Sequence, residues 1–166
     1  MNRLGTFALV AVSSLFLDVV LPAGASAQSP TELVGTWRLV AFKVQASDTK
    51  EEKDALGPNP HGRLILTASG YITNYRVAAG RKPAQNDADR AQLLRTMAVW
   101  TGRYRVDGNK LLVKIDSSWN ENDTGSERPR TYLLDGNRLV VSTVTPNSNF
   151  FEGRPASGDE YFERED

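Results

Sequence analysis

The chain has 166 residues, with 20 Lys+Arg matched by 20 Asp+Glu, and it contains no cysteine. A field this neutral offers no basic stripe for nucleic acid or for an anionic membrane surface. The missing thiols exclude disulfides, thiolate metal sites and a cysteine nucleophile. Apolar residues at 40% and charged residues at 24% are the mixture of one folded globular domain rather than a disordered chain.

Residues 1–27 are expected to be a cleaved signal peptide. Met1-Asn2-Arg3 is a short positive start, the apolar run 4–17 follows, and the small residues Pro22-Ala23-Gly24-Ala25-Ser26-Ala27 fit a cleavage site after Ala27. Asp18 interrupts the apolar run, which is too short to span a bilayer, and no later stretch could cross one. The mature domain is then residues 28–166, periplasmic or secreted, with no stable membrane insertion.

From residue 33 onward, short β-rich runs alternate with turn residues. Residues 33–45 predict a long first strand, and the polar stretch 46–53 leads into a loop marked by Pro58, Pro60, Gly57 and Gly62. Residues 63–67 and 71–78 predict strands joined by Ala68-Ser69-Gly70. Asp87 is the expected N-cap of one short helix, and Leu93, Leu94, Met97 and Ala98 share a face that carries it to about Val99. Strands at 100–106 and 110–118 flank Asp107-Gly108-Asn109. Strands at 128–134 and 138–144 flank Asp135-Gly136-Asn137, and 160–164 closes the chain. Asp-Gly-Asn supplies the positive φ values that a tight hairpin needs.

Eight strands joined by consecutive hairpins form a meander, and closing the first strand on the last removes both exposed edges. The expected fold is therefore all-β: an eight-stranded antiparallel up-and-down barrel with one short helix. An eight-stranded barrel has room for one small ligand.

Gly35-Thr36-Trp37 at the start of the first strand and Arg164 near the end of the last resemble the Gly-x-Trp signature of lipocalin and related barrels. There the tryptophan plugs the closed end and the arginine covers its ring, which assigns Trp37 and Arg164 as a structural, barrel-closing pair. Leu33-Val34-Gly35-Thr36-Trp37-Arg38-Leu39-Val40, Leu56-Gly57-Pro58-Asn59-Pro60-His61-Gly62-Arg63-Leu64, Ser69-Gly70-Tyr71 and Trp100-Thr101-Gly102-Arg103-Tyr104-Arg105-Val106-Asp107-Gly108 look like the bacterial lipocalin-like domain family, in the same order. The resemblance implies a calycin-type barrel and says little about activity. Family members often carry histidine on the strand occupied here by Lys114 and Asp116, so no role built on that histidine transfers.

His61, the one histidine, lies between Pro60 and Gly62 in a loop. It suits neither a haem ligand nor a catalytic triad, and one histidine without cysteine makes no zinc site. No metal and no cofactor is implied. Of the carboxylates Asp116, Glu121, Asp123, Glu127, Glu152, Asp159 and Glu160, those from Glu121 to Glu127 fall in a polar loop and the terminal cluster reads as a solvated end, so no catalytic residue is assigned.

Period-2 alternation puts Leu111, Val113, Ile115, Ser117 and Trp119 on one face. It likewise groups Tyr71, Thr73, Tyr75 and Val77; Gly102, Tyr104 and Val106; and Arg130, Tyr132 and Leu134. If these faces point inward, Tyr75, Tyr104, Trp119, Arg130 and Tyr132 are the ligand-binding candidates. Arg130, inside an apolar barrel, would need a counter-charge from the chain or from a ligand. The expected function is an exported protein that binds a small hydrophobic or amphipathic ligand in the barrel lumen. The alternatives are a barrel-type cyclase or isomerase, which needs an internal acid–base pair, and a packed barrel acting through surface protein interactions. A binding protein is favoured over an enzyme.

Overall fold

The computed structural model describes residues 30–165; the expected leader lies outside them. A single turn, α1 (Pro30–Leu33), leads into β1 (Gly35–Ala46). Then come β2 (Glu52–Asp54), β3 (His61–Leu66), β4 (Tyr71–Val77), α2 (Asp87–Arg95), β5 (Met97–Asp107), β6 (Lys110–Ser118), β7 (Glu127–Asp135), β8 (Arg138–Thr145) and β9 (Ala156–Arg164). Every pairing is antiparallel. Strands β3 to β9 follow sequence order, and β1 bonds β3 on one side and β9 on the other. Eight strands thus close into the expected up-and-down barrel, and β2 adds a short ribbon on Lys43–Gln45 of β1.

The hairpins close as their turn residues require. Asp107 pairs with Lys110 and Asp135 with Arg138, with Gly108 at φ 57° and Gly136 at φ 56°. Only the glycine of each turn takes a positive φ; the asparagines do not, which is the glycine-first form of a two-residue hairpin loop.

The helix departs from expectation at both ends. Its N-cap is Asn86, whose side chain accepts from the Asp89 amide at 2.9 Å, rather than Asp87. It stops at Arg95, because Met97, Ala98 and Val99 pair with Val77, Arg76 and Tyr75 of β4. The β-ladder thereby removes half of the apolar face that the helical spacing had assembled, and no residue of α2 is buried. Likewise β9 begins at Ala156, four residues before the expected start, because Ala156–Gly158 bond both β1 and β8.

Two bulges reset which residues face inward. In β1 the register shifts between Leu39 and Ala41, so the buried set runs Trp37, Leu39 and then Phe42, Val44, Ala46. In β6 Asp116 is the extra residue opposite Thr101 and Gly102, which ends the alternation after Ile115. The interior consequently has two parts. One cluster, including Trp37, Leu39, Leu64, Leu66, Ile72, Leu111, Leu139 and Phe162, fills one half of the barrel. A smaller one (Phe42, Val44, Ala46, Phe151, Ala156) lines part of the other half.

Candidate functional site

The filled half is sealed where the start of β1 meets the end of β9. Trp37 is fully buried, and its indole Nε1 donates to the Leu33 carbonyl at 2.9 Å. Arg164 lies over the same ring, with its guanidinium carbon 4.0 Å from the centroid. It also donates to the carbonyls of Val34, at 3.0 Å, and Glu32. Two tyrosines belong to this half. The Tyr104 hydroxyl donates to the Thr67 carbonyl at 2.9 Å, and that of Tyr132 to the Gly108 carbonyl at 3.1 Å. Burial raises the pKa of both phenols, so they serve as neutral donors whose hydroxyls are already committed.

The other half holds a cavity of about 530 Å³, within the ~300–1,000 Å³ range of small-molecule sites. It opens between the loop after β6 and the segment joining β8 to β9. Phe42, Trp100, Trp119 and Phe150 supply aromatic wall, and Arg76, Arg128, Arg130, Asp123 and Glu160 supply charge. Arg76 is ion-paired with Glu160, and its guanidinium carbon lies 4.5 Å from the Phe42 ring centroid. Glu160 is 4% exposed, and its second oxygen accepts from Asn74 Nδ2 at 2.7 Å. Asn74 is itself buried, and its Oδ1 accepts no hydrogen bond from the described residues. Arg128 pairs with Asp123 at the rim.

Arg130 is different. It is 8% exposed, its guanidinium carbon lies 4.4 Å from the Trp100 ring centroid, and Nη1 donates to the Arg128 carbonyl at 3.1 Å. Among the described residues no carboxylate comes within ion-pair distance of it. Burial pushes its pKa down to about 10; Glu160 opposes the shift while Arg76 and Arg128 add to it. A largely desolvated cation facing a cavity is an anion site in chemical terms.

The five expected ligand residues therefore separate. Arg130 lines the cavity, and Trp119 stands at its rim, 42% exposed, beyond the bulge that ends the β6 alternation. Tyr104 and Tyr132 face inward but lie in the packed half, away from the cavity. Tyr75 does not face inward at all: Ile72 and Asn74 are the buried residues of β4, and the Tyr75 hydroxyl accepts from Arg63 Nη1 at 2.6 Å on the outer wall. The parity of β4 is the reverse of the expected one, since a face of tyrosines and valine looks more internal than one of isoleucine, asparagine and arginine. Glu160, expected in a solvated end, is buried inside. The signal that places it was present. Glu160, Phe162 and Arg164 alternate on β9, so an inward Arg164 requires an inward Glu160. Trp100, two residues before Gly102 and four before Tyr104, was legible in the same way.

Among the described residues no cluster of His, Asp and Glu could hold a metal ion. A solved structure of an uncharacterized protein from Bacteroides eggerthii DSM 20697 is similar at 16% identity. The match covers 79% of this chain and 98% of that one, with a TM-score of 0.37 that carries no argument about fold or function. No curated protein matches the sequence. The lipocalin-like domain model matches residues 34–157, from the first barrel strand into the last. With Gly35-Thr36-Trp37 at the sealed end, Arg164 over the indole and eight strands closed around one interior, the chain belongs to the lipocalin-like domain family.

Proposed function

We propose that this protein is an exported carrier of a small amphipathic acid, held in the open half of the barrel with its anionic head on Arg130. The observation that carries the reading is the buried, carboxylate-free Arg130 facing a cavity of about 530 Å³. A charged guanidinium in that position is costly in the free protein, and a bound anion offsets the cost. Phe42, Trp100 and the rim residue Trp119 provide wall for the apolar body. Export rests on the leader pattern of residues 1–27.

The alternatives fare less well. A cyclase or isomerase needs a group free to move a proton, and both oxygens of Glu160, the one buried carboxylate among the described residues, are occupied by Arg76 and Asn74. A barrel acting only through its surface has no use for the cavity. The test is native mass spectrometry of the protein purified from its own host, followed by extraction and identification of bound material. A stoichiometric acid that is absent from Arg130→Met supports the reading. An apo mass, together with no binding of fluorescent fatty-acid or other hydrophobic anionic probes, refutes it.

A further inference from the structure

Among the described residues the cavity lining carries three cations, Arg76, Arg128 and Arg130, against two anions, Asp123 and Glu160. Arg128 and Asp123 neutralise each other at the rim. Deeper in, Glu160 is paired with Arg76 and accepts from Asn74 at 2.7 Å, while Arg130 feels its charge without an ion pair. One positive charge is left over. Glu160 is what keeps that surplus at one: without its charge, Arg76 and Arg130 would both be uncompensated within the same cavity.

We propose that Glu160 is the charge selector of this site, admitting monoanions with a ring-sized apolar body and rejecting dianions. This rests on the acid-binding reading above and goes further: with the surplus held at one, a second ligand charge would be buried without a partner. A second negative charge on the ligand finds Arg76 already paired and meets the buried carboxylate of Glu160 at short range. Repulsion between like charges is large where water is excluded. The body of the ligand lies against Phe42 and Trp100, each of which carries a guanidinium over its ring.

The experiment is a charge ladder read with 1-naphthoate (monoanion), naphthalene-1,4-dicarboxylate (dianion) and 1-naphthylmethanol (neutral), titrated by calorimetry into the purified protein. The wild type is expected to prefer the monoanion over the dianion by at least about tenfold. Glu160→Gln, with a surplus of two, should reverse that preference. Arg76→Gln, with no surplus, should weaken 1-naphthoate about tenfold although Arg130 is untouched. The double variant Arg76→Gln/Glu160→Gln has a surplus of one again and should return to monoanion preference. Should Glu160→Gln fail to fold, Arg76→Gln and the double variant still decide the matter. Unchanged selectivity in Glu160→Gln, dianion preference in the double variant, or unchanged 1-naphthoate affinity in Arg76→Gln would each overturn the proposal while leaving acid binding intact. If the wild type binds 1-naphthoate no better than 1-naphthylmethanol, the acid-binding reading itself fails, and the selector with it.

Discussion

Arg130→Met separates a residue kept for binding from one kept for stability. The depressed pKa of about 10 corresponds to roughly 3 kcal/mol of cost to the charged side chain in the folded protein. Against it stand the stacking on Trp100, about 1 kcal/mol, and the hydrogen bond to the Arg128 carbonyl, about 1 kcal/mol. Methionine fills similar space without the charge. The variant should therefore be as stable as the wild type or more so, by about 1 kcal/mol, while losing affinity for anionic ligands. Urea unfolding at pH 7, followed by tryptophan fluorescence and far-UV circular dichroism, measures the first effect; the thermal shift produced by 1-naphthoate measures the second. The pH dependence has a definite sign. A base whose pKa is lowered by folding carries its full penalty below the folded value, so the stability gap between variant and wild type should hold up to about pH 10. It should shrink above that, where the folded wild type sheds its proton before the unfolded chain does. Destabilisation of Arg130→Met by about 2 kcal/mol or more would refute this reasoning, because Arg130 would then be a structural member of the barrel.

Substitutions at three further positions test the architecture. Arg164→Ala removes the guanidinium from the Trp37 ring and two carbonyl contacts to the incoming chain, and should cost about 3 kcal/mol in urea unfolding; Arg164→Lys should recover less than half, since an ammonium neither stacks nor spans two carbonyls. At Gly102 a Cβ would lie 2.1 Å from the Lys114 carbonyl oxygen on the paired strand, so Gly102→Ala should cost about 3 kcal/mol or prevent folding, read as soluble yield and melting temperature. Tyr75→Phe should lose only the outer-wall contact to Arg63, about 1 kcal/mol, and leave 1-naphthoate affinity unchanged in calorimetry; a drop of tenfold or more would return Tyr75 to the site.

The barrel was legible in the sequence because its determinants are local. Asp-Gly-Asn turns set hairpins without reference to the rest of the chain, and consecutive hairpins leave closure as the way to remove two edges. Alternation correctly put Leu111, Val113 and Ile115, and also Arg130 and Tyr132, on inward faces of β6 and β7. What the tertiary structure alone decided was where that alternation breaks and which half of the interior is filled. The extra residues in β1 and β6 have no composition of their own, since a bulge is fixed by the partner strand's register. The packed half consumes Tyr104 and Tyr132 because backbone carbonyls lie within reach of their hydroxyls, and those carbonyls come from turns 37 and 24 residues away in the chain. The cavity half inverts the pattern that sequence reading relies on. It turns Asn74, Arg76 and Glu160 inward and leaves Tyr75 outside, which is stable only because these polar groups meet one another across the closed barrel. No single strand records that meeting.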